Sequence, residues 1–125
     1  MDQAISAALA HNSVIDLTTN GRQSGEPRRI EIYFHNIDGR IFISGMPSPR
    51  KRAWLANLEA NPALTFHLKN GVVADLPGTA RVITDPAERR PILERVAANW
   101  GRTDLDLMVE TSPLVEVTLA DPPEA

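Results

Sequence analysis

Cysteine is absent from the 125 residues, which excludes disulfides, thiol nucleophiles and thiolate metal sites. Aromatic residues make up only 5% of the chain, with one tyrosine and two tryptophans, so each is worth placing individually. No apolar run approaches the ~20 residues that a membrane-spanning helix needs. The N-terminus has neither the charged start nor the apolar stretch of a signal peptide. A cytoplasmic protein with no integral membrane segment is the expectation. There is also no excess of positive charge: the formal net charge is -3, which argues against a nucleic-acid partner. Repeats and linkers are missing too. A chain of this length holds one compact domain with a real core, expected over 1–125, with an N-terminal helix or arm over 1–13 and a disordered tail, "ADPPEA", over 120–125.

What remains is a run of short strands. Residues 3–10 read as an Ala-rich helix and 14–19 as a strand, followed by the turn cluster "NGRQSGEP". "RRIEIYFH" alternates with period two, setting Ile30, Ile32 and Phe34 on one face and Glu31, Tyr33 and His35 on the other. "NIDG" predicts a hairpin turn into a strand over 40–44, and Asn70-Gly71 is the strongest hairpin signal in the chain. Strands are expected over 63–69, 72–75, 79–84 and 114–119, with Pro77-Gly78 as a break or bulge between the middle two. "TDPAERRPILERVAANW" reads as a helix capped by Asp85 with Pro86 at its first position and Pro91 as a bend or delay. A short helix is expected over 104–111. About seven strands with close turns and two substantial helices predict a mainly β, α+β architecture: a small antiparallel barrel with helices packed outside.

"SGMPSPRKRAWLANLEANP", residues 44–62, contains a contradiction. Ser48-Pro49 has the signature of a helix start, and Trp54, Leu55 and Leu58 recur at helical spacing. That register puts Arg50, Lys51 and Arg52 in the first turn, where the helix dipole favours acids and each cation costs roughly 0.3–1 kcal/mol. An anion at that end would remove the conflict, because free N–H groups at a helix start form an anion site. A phosphorylated or carboxylated ligand is the expectation. Upstream, Arg22, Arg28 and Arg29 surround the "GRQSGEPRR" turn, and Tyr33 on the next strand is a candidate wall for a flat ligand. A solvated basic surface and a Tyr in a minor contact are the bland alternatives.

"LTTNGRQSGEPRRIEIYF", "SGMPSPRKRAWLANLEANP" and "DLDLMVETSPLVEV" together resemble the deazaflavin-dependent nitroreductase and quinone reductase family of the split β-barrel superfamily, relatives of pyridoxamine-phosphate-oxidase-like flavoproteins. The resemblance spans about Leu17 to Leu119. It rests on the T-T-x-G-R-x-S-G-x-P-R and A-W-x-x-N-L-x-A-N-P blocks. It implies coenzyme F-420, a flat deazaflavin with a phosphate and a polyglutamate tail, and hydride transfer from the reduced cofactor to a quinone, enone or nitro compound. It implies cofactor contacts from Arg22, Ser24, Arg28, Glu31, Tyr33, Ser44, Gly45, Met46, Arg50, Lys51, Arg52, Trp54 and Asn57. Tyr33 is the candidate proton donor, with water as the alternative.

Two departures stand out. Better-known nitroreductase members carry Lys where this chain has Gly45, and some carry tyrosines in the region matching 104–109, where this chain has none. The cofactor implication is therefore firmer than any substrate. The alternatives are an FMN-binding split-barrel oxidoreductase and a non-catalytic carrier of a small anionic amphiphile. His11, His35 and His67 are widely spaced and read as structural rather than metal ligands, so no metal is expected. Trp100 reads as packing. Both monomer and homodimer fit, and a lipid-quinone acceptor would bring the protein to a membrane surface.

Overall fold

A computed structural model describes residues 2–120. Asp2 caps α1 (Gln3–Leu9), its Oδ1 accepting from the N–H groups of Ala4 and Ile5 at 2.7 and 3.2 Å. The strands are β1 (Ser13–Asn20), β2 (Pro27–Ile37), β3 (Arg40–Ser44), β4 (Ala63–Leu68), β5 (Ala74–Val82) and β6 (Leu114–Leu119). The remaining helices are α2 (Ala53–Ala60), α3 (Pro86–Trp100) and α4 (Leu105–Thr111). The strands close an antiparallel barrel in the order β1-β2-β3-β6-β5-β4. Among the described residues no helix is long and apolar enough to cross a membrane. The tail expected over 120–125 lies outside the described residues beyond Ala120.

Local chemistry accounts for most boundaries. Asp38 and Gly39, at φ 53° and 84°, make a two-residue turn between β2 and β3, the left-handed pair that matches strand twist. Asp85 caps α3 through the N–H of Ala87 at 3.0 Å. Gly101, at φ 66°, ends that helix, with the N–H of Arg102 bonded to the Ala97 carbonyl. Pro91 sits inside α3, which runs on through it.

Two expectations need correction. Among the described residues six strands form, not seven, because β5 runs unbroken through Pro77-Gly78. Pro77 faces Thr65 and Gly78 faces Leu64 across the β4 ladder, and β6 pairs along the other side. The glycine marks close approach rather than a break: a Cβ there would lie 2.9 Å from the Thr118 carbonyl oxygen. Gly78→Ala is expected to cost about 1–3 kcal/mol through overpacking, read as a lower urea midpoint at constant m-value. An unchanged midpoint would mean that β5 and β6 separate at no cost. The second correction is at α2, which starts at Ala53 rather than Pro49. Ser48 instead bonds locally, its Oγ accepting from the Arg50 N–H at 3.2 Å, and Arg50, Lys51 and Arg52 precede the first turn.

Two apolar clusters share the β2, β3 and β6 strands. Ile15, Leu17, Phe34, Ile43, Phe66 and Val115 belong to one, to which α1 adds Leu9 and α2 adds Trp54 and Leu58. Phe34 and Phe66 meet edge to face there at 5.1 Å. The other holds Ile37, Phe42 and Leu114 together with Leu93, Val96 and Ala97 of α3 and Met108 of α4. Neighbours such as Phe42 and Ile43, or Leu114 and Val115, thus enter different cores, as alternating side chains on a strand covered on both faces must. The β1–β4 outer face is polar. His67 bridges Thr18 (Oγ1 to Nε2, 2.6 Å) and Asp75 (Nδ1 to Oδ1, 2.7 Å), and Lys69 reaches both Asp16 and Glu31.

Candidate cofactor site

The start of α2 stands between two cavities. One, of about 390 Å³, is bordered by Arg22, Ser24, Arg28 and Arg29 from the β1–β2 turn region and by Ala53, Trp54 and Asn57 of α2. The other, of about 710 Å³, is bordered by Arg50, Lys51, Arg52, Leu55 and Glu59 on one side, and by residues 82–84, Arg89, Asp106 and residues 109–114 on the other.

The smaller cavity owes its shape to Asn57, which is 6% exposed. Its Oδ1 accepts from the Arg22 N–H at 3.0 Å, and its Nδ2 donates to Thr19 Oγ1 at 3.1 Å. Both ends of the amide are spent on tying the turn to the helix, and Trp54 is likewise buried in the core. These two residues position the site. The exposed side chains of Arg22 and Arg28 line it. Ser24 is turned inward on its own loop, its Oγ accepting from the Glu26 N–H at 3.1 Å.

Around the larger cavity the cations differ in their partners. Lys51 Nζ lies 2.7 Å from Glu59. Among the described residues no carboxylate pairs with Arg50, Arg52 or Arg22. The N-cap of α2 is Arg52, and no side chain caps the helix, which leaves its first N–H groups without a partner inside the helix. Apolar Leu55, Val82, Ile83, Val109 and Leu114 share the wall. Glu59, Asp106 and Glu110 add negative charge.

The loop that carries the cations is fixed at its base. Ser44, 3% exposed, donates its hydroxyl to the Pro113 carbonyl at 2.7 Å. Gly45 lies under the Arg52 side chain, and half-exposed Met46 touches Arg102.

Glu31 and Tyr33 border neither cavity. Glu31 is an exposed ion-pair partner of Lys69 on the outer barrel face. Tyr33 packs edge-on to His35 at 5.1 Å and tilted to Trp100 at 6.4 Å. Alternation correctly put both side chains outside the barrel, but it carries no information about which outer neighbour each meets. The structure therefore brings Arg22, Ser24, Arg28, Trp54 and Asn57 to one cavity and Arg50, Lys51 and Arg52 to the other. Ser44, Gly45 and Met46 support the loop between, and Glu31 and Tyr33 stand apart.

Sequence reasoning missed Arg89, Ser112 and Pro113. The signal for Arg89 was there: it stands one turn before Leu93 on the α3 stripe that continues through Val96 and Ala97, a charge where an apolar residue belongs.

The donor set suits coenzyme F-420. Guanidinium and ammonium groups around an uncapped helix start match a phosphate and a carboxylate tail, and the larger cavity adds an apolar wall for a flat ring.

Three solved structures share the fold. An F420 reductase is 15% identical, with a TM-score of 0.72 over 97% of both chains. A putative pyridoxamine 5'-phosphate oxidase from Listeria innocua is 17% identical, with a TM-score of 0.68 over 94% of this chain and 92% of that one. An F420-H2 dependent reductase is 21% identical, with a TM-score of 0.62 over 84% of this chain and 93% of that one. The sequence model of one family matches residues 2–119, the whole barrel together with both cavity walls. With the fold, the basic helix start and that match in agreement, the chain belongs to the F420H(2)-dependent quinone reductase family and is an F-420-dependent oxidoreductase.

Proposed function

We propose that the cations flanking the start of α2 hold the phosphate and polyglutamate tail of F-420, that its ring lies in the larger cavity, and that the acceptor is an uncharged quinone or enone. The observation that carries this reading is the grouping of Arg22, Arg28, Arg50, Lys51 and Arg52 around one uncapped helix start in a chain of net charge -3. When bound and reduced, the cofactor supplies a hydride to an electrophilic carbon of the acceptor. The protein's part is to bind and orient. Arg50 and Arg52 hold negative charge at one wall, Leu55, Ile83 and Leu114 keep water from the ring, and Glu59, Asp106 and Glu110 disfavour an anionic acceptor. Tyr33 borders neither cavity, so the proton that completes reduction comes from water.

Titration with oxidised F-420, followed by its fluorescence, tests the reading. Binding is expected to weaken with added salt, because exposed charges are screened. Arg22→Gln and Arg50→Gln are each expected to weaken it by about tenfold at low salt. Lys51→Gln should do less, since Glu59 already compensates that charge. Binding insensitive to salt and to all three changes would remove the anion from this site. FMN binding in its place would replace the cofactor.

A further inference from the structure

Arg52 is unlike every other buried or half-buried arginine in this protein. Arg89 spends its guanidinium on four carbonyls, and Arg102 on Asp104 and Met46. Arg52 is half-buried, yet among the described residues its guanidinium forms no ion pair and no hydrogen bond. Packing alone holds it. A Cβ on Gly45 would lie 3.1 Å from its Cζ and 3.3 Å from Nη2, and 3.1 Å from Cγ of Pro113. The bare backbone of Gly45 and the ring of Pro113 thus form a seat. That seat is rigid, because the Ser44 hydroxyl is bonded to the Pro113 carbonyl and Pro113 is buried. Arg52 and Pro113 both border the larger cavity. So does Ser112, whose Oγ is buried and has no hydrogen-bond partner. A seated guanidinium with five unspent donors, on the same cavity as an unpaired buried hydroxyl, is a preorganised anion site.

We propose that Gly45, by carrying no side chain, seats the Arg52 guanidinium at the wall of this cavity, and that Arg52 is there the principal ligand for a phosphate group. The proposal rests on the reading above, in which that phosphate is the cofactor's. It makes Gly45 a positioning residue: the side-chain space at position 45 is filled by a cation delivered from the cap of α2.

The test is a double-mutant cycle on binding, by calorimetric titration with inorganic pyrophosphate and separately with oxidised F-420. The proteins are wild type, Gly45→Ala, Arg52→Gln and the double variant, with thermal unfolding to verify the fold and Arg50→Gln for comparison. Arg52→Gln is expected to weaken pyrophosphate binding by about tenfold, and by more than Arg50→Gln does. Gly45→Ala is expected to weaken it several-fold with Arg52 present and to have no effect in the Arg52→Gln background. Equal losses from Gly45→Ala in both backgrounds overturn the seat, as do unchanged binding by Arg52→Gln or no pyrophosphate binding by wild type. The coupled pattern with pyrophosphate but no binding of F-420 keeps the seat and overturns the cofactor reading. F-420 binding with additive losses does the reverse.

Discussion

Arg89→Met is expected to lower stability by about 3–5 kcal/mol, the sum of four hydrogen bonds from a charged donor at roughly 1 kcal/mol each. Arg89 is 8% exposed. Its Nε donates to the Val109 carbonyl at 2.9 Å, Nη1 to Ile83 at 2.8 Å, and Nη2 to Met108 at 3.2 Å and Ser112 at 2.5 Å. Met108 and Val109 lie in the last turn of α4, whose final carbonyls run out of helical donors; the Met108 carbonyl also takes the N–H of the C-cap residue Ser112 at 2.9 Å. The guanidinium therefore fastens α4 to the end of β5 and to α3. Burial lowers its pKa, but a guanidinium keeps its charge at neutral pH, and the carbonyl dipoles are what compensate that charge. Methionine preserves the apolar stem and takes the side-chain donor from the Ile83, Val109 and Ser112 carbonyls, while the Met108 carbonyl keeps only the Ser112 N–H at 2.9 Å.

Against a total of about 5–15 kcal/mol for a domain, the loss is large. It should appear as a fall in Tm of roughly 10–20 °C, with faster amide exchange in residues 108–112. Arg89→Lys, a point donor that cannot span four carbonyls, should recover only part of it. A Met variant within 1 kcal/mol of wild type would show that α4 is held by the packing of Met108 alone.

Acidification from pH 6.5 to 4.5 should destabilise the protein through His35. The ring is fully buried, and burial pushes its pKa down to about 4. Asn99 Nδ2 donates to its Nδ1 at 3.0 Å, among the described residues Nε2 has no partner, and Tyr33 and Trp100 both pack edge-on to it. Protonation would place an unpaired charge between aromatic rings. The native pKa lies below the unfolded value of about 6.5, so between those values the unfolded chain binds the extra proton and stability is lost as the pH is lowered. The full shift corresponds to on the order of 3 kcal/mol, most of it reached by pH 4.5.

The acid limb of the main ion-pair network does not overlap this window. Glu116 is held at about 2, first by its bond to Arg40 and also by Arg81, so its contribution is complete above the ordinary carboxylate value and is lost as the pH falls from there through about 2. Urea midpoints of wild type and His35→Phe across pH 7.5 to 4.5 separate the effect. The wild type should lose stability with a slope that the variant lacks. Parallel slopes would mean that the His35 ring finds a counter-charge on protonation.

Several elements were fixed by chemistry within a few residues, and these the sequence alone determined. Asp-Gly at 38–39 sets the β2–β3 turn, Asp85 and Gly101 delimit α3, and the alternation over residues 30–35 divides inward from outward side chains. The two motif blocks around Arg22 and Trp54 gave the family. The false helix start at Ser48-Pro49 shows where local reasoning stops. A Ser-Pro pair is compatible with a cap, but Ser48 bonds onto Arg50 and the chain bends at Pro49 and Arg50 without entering a helix before Ala53, in a loop whose base the long-range Ser44–Pro113 bond fixes.

Everything that makes the site depended on contacts distant in sequence. Closure of β1 onto β4 pairs Leu17 with Phe66. Docking of α3 and α4 on the outer face buries His35 and Arg89, and leaves Tyr33 beside Trp100 rather than beside a cavity. Cations that read as one cluster are divided between two cavities by α2, and Arg52 rests on a glycine seven positions before it. Periodicity reports which side of a strand a residue faces. Only burial of one element against another decides what waits on that side, because that choice is made by the shape and free energy of the assembled surfaces and not by the residue's neighbours in the chain.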